Sequence, residues 1–206
     1  NSGNKAYDGE ALTVSGFVGE TENGIPVEAD GKTYYVKGLS ASATGTNVSD
    51  STSVNATGTA QVVDEAGNDV TSEFKVTVNP GSLTINKRPV TLTSATLSKE
   101  YDGTALVNGE TPLATEEGWV EGEGANYQFT GSVTLPGATA PNAYTYTAKE
   151  GTDFNNYSIS YNEGQLSITS KEAKYEVQVT VNSGNKAYDG EALTVSGFVG
   201  ETENGI

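Results

Sequence analysis

One short motif, Lys-x-Tyr-Asp-Gly, places a lysine, a tyrosine and an aspartate close enough for chemistry, and it occurs three times in the sequence. A lysine beside a carboxylate is suited to a covalent cross-link or to a ligand site. The same residues also describe a tight turn, in which the aspartate caps the loop, the glycine adopts positive φ and the tyrosine packs on a core. We favour this structural interpretation. The motif residues are Lys5, Tyr7, Asp8 and Gly9; Lys99, Tyr101, Asp102 and Gly103; and Lys186, Tyr188, Asp189 and Gly190.

Two other features suggest ligands. Trp119, the only tryptophan, lies in a loop rich in glycine and glutamate and is a candidate contact for a stacked sugar. A single aromatic side chain more often covers the end of a β-sandwich, so packing is the preferred interpretation. The acidic run 64–69 has oxygen ligands suited to calcium, but it lacks the spacing of an EF-hand. A polar hairpin turn is the better prediction for that run.

The composition of the 206-residue chain excludes most other chemistry. It contains no Cys, His or Met, and these residues are the usual ligands of zinc, haem and iron–sulfur clusters and the commonest acid–base and thiol groups. The carboxylates are scattered over turns rather than paired as in a glycosidase. We therefore expect no cofactor, no metal and no catalytic residue, and we predict that the protein is not an enzyme.

The charge of the chain restricts its partners. With 11 Lys and Arg against 27 Asp and Glu, the net charge is −16. Such a surface repels phosphate backbones and anionic lipid. No apolar run is long enough to span a bilayer. We expect no nucleic-acid partner and no membrane insertion.

A long internal repeat organises the sequence. Residues 1–25 recur without a change at 182–206, which indicates either a natural tandem array or a duplication by design, and we favour the array. A weaker repeat lies within the unit. The first and second motifs are 94 positions apart, whereas Gly81-Ser82-Leu83-Thr84-Ile85 and its match beginning at Gly164 are 83 apart. The unit is thus two homologous domains of roughly 90 residues, the first with an insert of about ten residues.

The elements that must position these residues are short strands. Apolar residues alternate with polar ones at 74–78, 157–161 and 175–181, and glycine-containing turns follow the first two of these segments. Alternation with period two predicts half-buried strands, and no segment shows a helical stripe. The predicted fold class is all-β, with two tandem immunoglobulin-like β-sandwich modules and the opening strand of a third.

The matched ends of the repeats predict the domain boundaries. The first module covers 1–86, the second 87–170, and residues 171–206 begin the next copy of the first module. Each module is expected to have its own core, and neighbouring repeats are expected to be its partners. The alignment assigns 175–181 as the opening strand that the module at 1–86 lacks. We predict that this segment completes the first module of another chain.

A covalent cross-link on the surface is an alternative role for the second lysine. Lys99 and either Asn155 or Asn156 are suited to an isopeptide bond promoted by a nearby acid. The matching positions of the first module hold Ser72 and Glu73, which argues against such a bond.

The combination of motifs resembles the repeats known as YDG and MBG domains. The resemblance is carried by Lys-x-Tyr-Asp-Gly at the start of each module, by Asn-Asp-Val-Thr-Ser-Glu-Phe at 68–74, and by the closing Gly-x-Leu-x-Ile. It implies immunoglobulin-like sandwiches strung together in large bacterial surface proteins and adhesins. The implied function is a structural stalk of a secreted adhesin at the cell surface or cell wall, which extends a distal domain. The alternative is that the modules themselves bind host glycan or protein multivalently.

Overall fold

Strands joined by short turns dominate the computed structural model, which describes residues 1–109, 111–174 and 176–205. The prediction of an all-β fold of sandwich type is confirmed. The chain divides into two compact units, Asn1–Thr169 and Ser170–Ile206. Among the described residues, no helix has the length and apolar character needed to cross a membrane.

Seven strands form the first module. They are β1 (Gly3–Ala6), β2 (Leu12–Ser15), β3 (Ile25–Ala29), β4 (Lys32–Gly45), β5 (Thr52–Val54), β6 (Ala56–Val63) and β7 (Gly81–Asn86). One sheet has the order β1-β7-β5, with β1 parallel to β7. In the other, the long strand β4 pairs antiparallel with β2, β3 and β6. The register of β4 shifts at Gly38. This glycine has a φ of 79°, a backbone conformation that would be strained in a residue with a side chain.

The described residues of the second module form ten strands. They are β8 (Arg88–Thr93), β9 (Leu97–Glu100), β10 (Leu106–Val107), β11 (Thr115–Glu117), β12 (Ala125–Phe129), β13 (Ser132–Val133), β14 (Thr139–Pro141), β15 (Tyr144–Ala148), β16 (Tyr157–Asn162) and β17 (Gln165–Thr169). Two sheets have three strands each, in the orders β11-β8-β16 and β14-β17-β9. The pairs β12-β15 and β10-β13 complete the module.

The sequence repeat has a counterpart in strand register. In the first module β1 pairs in parallel with β7, and Gly3 lies opposite Leu83. In the second module β9 pairs in parallel with β17, and Leu97 lies opposite Leu166. Gly3 and Leu97 are aligned by the lysine motifs, and Leu83 and Leu166 by the closing motifs. The two modules therefore join their opening and closing segments in the same way.

The apolar core continues across the predicted boundary at residue 87. Leu83 and Ile85 of the first module belong to one buried cluster with Val90 and Leu92 of the second. Strand pairing does divide there, since among the described residues every ladder lies wholly on one side of Lys87. The modules therefore share one apolar cluster, and the expectation of a separate core in each is not met. The reason is that only Lys87 separates β7 from β8. A second cluster, built on Leu166 and Ile168, lies within the second module.

The strand predicted at 175–181 does not form. Tyr175 lies outside the described residues, and residues 176–180 are in no strand. Val181 makes a single isolated bridge, to Phe198. A β-strand requires neighbouring strands to accept and donate its backbone hydrogen bonds, and the described residues of this unit supply only that bridge and one between Thr202 and Gly205.

The strand predicted at 74–78 is also wrong, for the same reason. These residues follow a single turn of 3-10 helix at Thr71–Glu73 and run to the turn before β7 without joining a ladder. Their match in the second module is β16, which pairs in parallel with β8. The first module has no strand in the place of β8 among its described residues, so residues 74–78 lack that partner.

The duplicated segment provides a matched test of core packing. Val14 is 5% exposed in the first module, whereas its identical copy Val195 is 43% exposed. Val14→Ala is expected to lower the free energy of unfolding by about 2 kcal/mol, because it removes buried methyl groups and leaves a cavity. Val195→Ala should change it by less than about 0.5 kcal/mol. Urea unfolding followed by circular dichroism measures both, and equal effects would contradict this packing.

Candidate functional site

The three Lys-x-Tyr-Asp-Gly turns have the same local geometry. In each, the lysine ammonium contacts Oδ1 of the aspartate three residues later, at 2.5, 2.8 and 2.6 Å in chain order. The same oxygen accepts the backbone N–H two residues beyond the aspartate, at 2.9, 2.9 and 3.0 Å. The glycines have φ of 81°, 84° and 82°. This is an aspartate-stabilised turn closed by a lysine.

The electrostatics of the turn favour the ionised aspartate. Hydrogen bonding from the lysine, followed by the backbone or threonine donors of the turn, lowers the pKa of Asp8, Asp102 and Asp189 below the usual value. Lys99 also donates to the Thr104 hydroxyl at 2.6 Å and to the Ala105 carbonyl at 3.3 Å. The ammonium therefore stabilises the closed turn, which is a structural role.

The tyrosine of the motif has a different environment in each copy. Tyr7 is 6% exposed, Tyr101 packs beside the second cluster, and Tyr188 is 98% exposed. The Tyr7 hydroxyl donates to Glu123 Oε1 at 2.6 Å, and the Tyr157 hydroxyl donates to Glu123 Oε2 at 2.8 Å. The two tyrosine rings meet edge to face, with centroids 5.4 Å apart. One carboxylate of the second module is therefore bonded to a tyrosine from each module.

Sequence reasoning missed Glu123. Its neighbours in the chain are glycines, so no apolar alternation marks it as part of an interface. A surface loop is the default prediction for such a segment. Only the fold brings Tyr7, which is 116 positions away, onto its carboxylate.

Burial of these tyrosines changes their titration. Desolvation, followed by the hydrogen bond and the charge of Glu123, raises the pKa of Tyr7 from 10.0 to about 12. Burial and the same carboxylate raise the pKa of Tyr157 as well.

A second polar contact joins the modules at Asn156. This asparagine is buried. Its Oδ1 accepts the Val48 N–H at 2.9 Å, and its Nδ2 donates to Asn47 Oδ1 at 2.9 Å. A buried amide is costly unless its donors and acceptors are satisfied, so these bonds favour one fixed docking of the modules.

The proposed isopeptide partners have other contacts. Lys99 donates within its own turn, as described above. Asn156 is bonded to the first module, and the Asn155 side chain donates to Asp153 Oδ1 at 2.9 Å. The hydrogen bonds of these side chains do not connect Lys99 to either asparagine.

Trp119 lies at the junction between the modules. Its ring stacks on Phe154, with centroids 5.9 Å apart, and meets Tyr157 edge to face at 4.8 Å. It also lines a cleft of about 560 Å³ whose other residues are mostly acidic. That cleft is lined by Asp8, Gly9, Glu10, Arg88, Trp119, Val120, Glu121 and Glu123. Contact with two aromatic rings makes packing the main role of Trp119 in this structure.

The acidic run 64–69 forms a turn. Asp64 accepts the Asn68 N–H at 2.8 Å and its Nδ2 at 2.9 Å. Asp69 accepts from Thr71 and Gln61, and these bonds lower its pKa to about 2. Over the described ranges, no group of three or more acidic side chains has the arrangement of a metal site.

Comparisons with protein-family models, with curated proteins and with solved structures find no match to this chain.

The lysine turn can be tested by titration. Lys99→Met should raise the pKa of Asp102 toward its usual value of 3.8, because the carboxylate loses the hydrogen bond from the lysine ammonium, which is its largest source of stabilisation. Side-chain carboxyl NMR against pH measures the shift. The matched control is Lys186→Met, which should raise the pKa of Asp189 and leave the pKa of Asp102 unchanged. A carboxyl titration of Asp102 that does not respond to Lys99→Met would exclude this contact.

The tyrosine bridge predicts a pH dependence at high pH. Between pH 10.0 and about 12, folded Tyr7 keeps a proton that the unfolded chain has lost. Its contribution is therefore complete below pH 10.0, and it falls as the pH rises through about 12. Tyr7→Phe should cost about 1.5 kcal/mol at neutral pH, because it removes a hydrogen bond to a carboxylate, and should flatten the alkaline loss of stability.

The identical copy gives the control for this prediction. Tyr188→Phe should leave the stability unchanged, since the Tyr188 side chain is exposed. Thermal unfolding of both variants from neutral to alkaline pH makes the comparison. Two indistinguishable profiles would mean that the Tyr7–Glu123 bond contributes nothing to folding.

Proposed function

We propose that this chain is a structural segment of a tandem-repeat stalk in a secreted bacterial surface protein, extending a distal domain from the cell surface or cell wall. The observation that carries the proposal is the repetition of residues 1–25 at 182–206. Identical copies at a fixed period are typical of arrays in which each unit adds length. The resemblance to YDG and MBG repeats supports the same function.

The junction between the two modules favours a mechanical role for the pair. Lys87 alone connects β7 to β8, so the linker leaves little freedom for a hinge. The buried apolar cluster continues across this junction. Glu123 and Asn156 add hydrogen bonds to residues of the first module. A covalent linker this short, with an apolar and hydrogen-bonded interface beside it, favours a semi-rigid pair of modules.

The surface chemistry fits an extracellular spacer. A net charge of −16 favours solubility and reduces self-association among crowded chains. The chain contains no cysteine, so its stability does not depend on the redox state of its surroundings. The proposal includes no catalysis, because the polar residues singled out by the motifs hold turns closed.

Multivalent binding of host glycan or protein is the second proposal, and the cleft beside Trp119 is its best location. The stacking of Trp119 on Phe154 favours the structural role over this one. A glycan array probed with the full chain and with Trp119→Ala separates the two. Glycan binding that is lost in this variant while the fold is retained supports a binding module.

The stalk proposal predicts how length grows with the number of repeats. In chains with increasing numbers of tandem copies of residues 1–181, small-angle scattering should show a maximum dimension that rises by a constant increment per copy. Glu123→Ala in every copy should reduce that increment, because the bond to Tyr7 restrains the module junction. Glu121→Ala, in the same loop and exposed, is the control. A dimension that grows only as the cube root of mass would overturn the proposal.

A further inference from the structure

Two kinds of boundary alternate along the proposed array, in which residues 1–181 are one copy. One lies within a copy, at Lys87, between its first and second modules. The other lies between copies, at residues 170–174, where the second module leads into the next first module. Because homologous modules meet at both boundaries, the residues that hold the first can be compared with those at the matching positions of the second.

The spacing of the motifs shows that the two linkers differ in length. From the closing isoleucine of one module to the opening lysine of the next, the chain advances 14 positions between Ile85 and Lys99. It advances 18 positions between Ile168 and Lys186. The boundary between copies is therefore longer by four residues.

The extra length directly follows the closing strand. Within a copy, Lys87 alone separates β7 from β8. Between copies, counting back from Lys186 places the match of Arg88, the first residue of β8, at position 175, so residues 170–174 are the linker. Five residues extend to about 17 Å and one to about 3.5 Å. The longer linker leaves the following module much more freedom of position.

The composition of the longer linker also favours motion. Residues 170–174 are Ser-Lys-Glu-Ala-Lys, of which three are charged and none is a proline that would stiffen the backbone. Residues 172–174 are exposed, and none of the five is in a helix or strand. A segment of this length is too short to form a stable helix by itself. The linker therefore behaves as a short flexible connection.

The buried amide contact of the junction within a copy is not repeated between copies. Asn156 donates through Nδ2 to Asn47 of the first module and accepts the Val48 N–H. Its matching position in the first module holds Glu73, which is exposed. A carboxylate has no N–H group to donate, so the donor half of this contact is lost.

The tyrosine bridge is also reduced between copies. Tyr157 matches Phe74, which has no hydroxyl and packs on Tyr34 of its own module with ring centroids 4.9 Å apart. Glu123 matches Asp30, since each precedes a glycine at the start of the matching strand, and the aspartate side chain is one methylene shorter. Of the two tyrosine hydroxyls on Glu123, only the one from the lysine motif has a counterpart between copies.

We propose that the array bends at the boundary between copies and stays fixed within them. Each copy is then one stiff segment of two modules, and residues 170–174 are the hinge between segments. This inference rests on the tandem array of the proposed function. Hinges at a regular period let a distal domain move sideways about its attachment, while the stiff segments preserve the reach of the stalk.

Paired spin labels compare the two boundaries through the same label sites, since the natural chain has no cysteine to remove. In a chain of two copies of residues 1–181, the second copy carries Glu65→Cys in its first module. Glu150→Cys is placed in the second copy to span the junction within it, or in the first copy to span the boundary between copies. Both glutamates are exposed. The distance distribution between copies should be at least about twice as wide, because its linker has five residues rather than one.

Two matched variants exchange the linkers. Deletion of residues 171–174 should narrow the distribution between copies, and insertion of Lys-Glu-Ala-Lys after Lys87 should widen the distribution within a copy. Neither change removes a buried side chain, and circular dichroism verifies that the strands are retained. Equal widths at the two boundaries, or widths that respond to neither linker change, overturn the hinge.

The outcomes are distinct from those of the stalk proposal. The maximum dimension in scattering reports the most extended arrangement of the chain, so a constant increment per copy is expected with or without a hinge. Equal label widths together with that increment overturn the hinge and leave the stalk. Growth of the maximum dimension only as the cube root of mass overturns the stalk, whatever the label widths.

Discussion

The constraint on which this structure depends is the parallel pairing between the segment that opens a module and the segment that closes it. β1 pairs with β7, β9 with β17 and β8 with β16, so distant parts of each module form one sheet. Backbone groups without a partner are costly to bury, and an extended segment becomes a strand only where that partner exists. Where it does, as along β17, the apolar residues Leu166 and Ile168 are fully buried.

The pairing rule also explains the junction between the modules. Because β7 leads into β8 through Lys87, the central strand of one three-stranded sheet continues almost directly into the central strand of the next. Apolar residues on both strands then join one cluster, and Tyr7 is placed against Tyr157. Glu123 accepts a hydrogen bond from each of these tyrosines. An interface of this kind makes the pair of modules, rather than the single module, the mechanical element of the proposed stalk.

The chemistry of the motif residues is subordinate to folding. The lysine turn recurs with one geometry in three different surroundings, which shows that its contacts are made within the motif and the residues just after it. A turn that forms locally is well suited to an array, because every copy closes in the same way whatever its neighbours. The tyrosine is the member of the motif whose contacts vary, since it alone reaches out of the turn.

The repeated 25 residues separate what the sequence determines from what the tertiary structure decides. In both copies the lysine bonds the aspartate, the glycines adopt positive φ, and Asn1 or Asn182 donates to the serine carbonyl fourteen positions on. These contacts are short in sequence, so identical residues are sufficient for them, and the turns and the all-β class were predictable. The strands Gly3–Ala6 and Leu12–Ser15 form only in the first copy, where β7 and β4 pair with them. Burial of Tyr7, its bond to Glu123 and the loss of pairing at residues 74–78 depend on residues far along the chain, and local patterns contain no information about them.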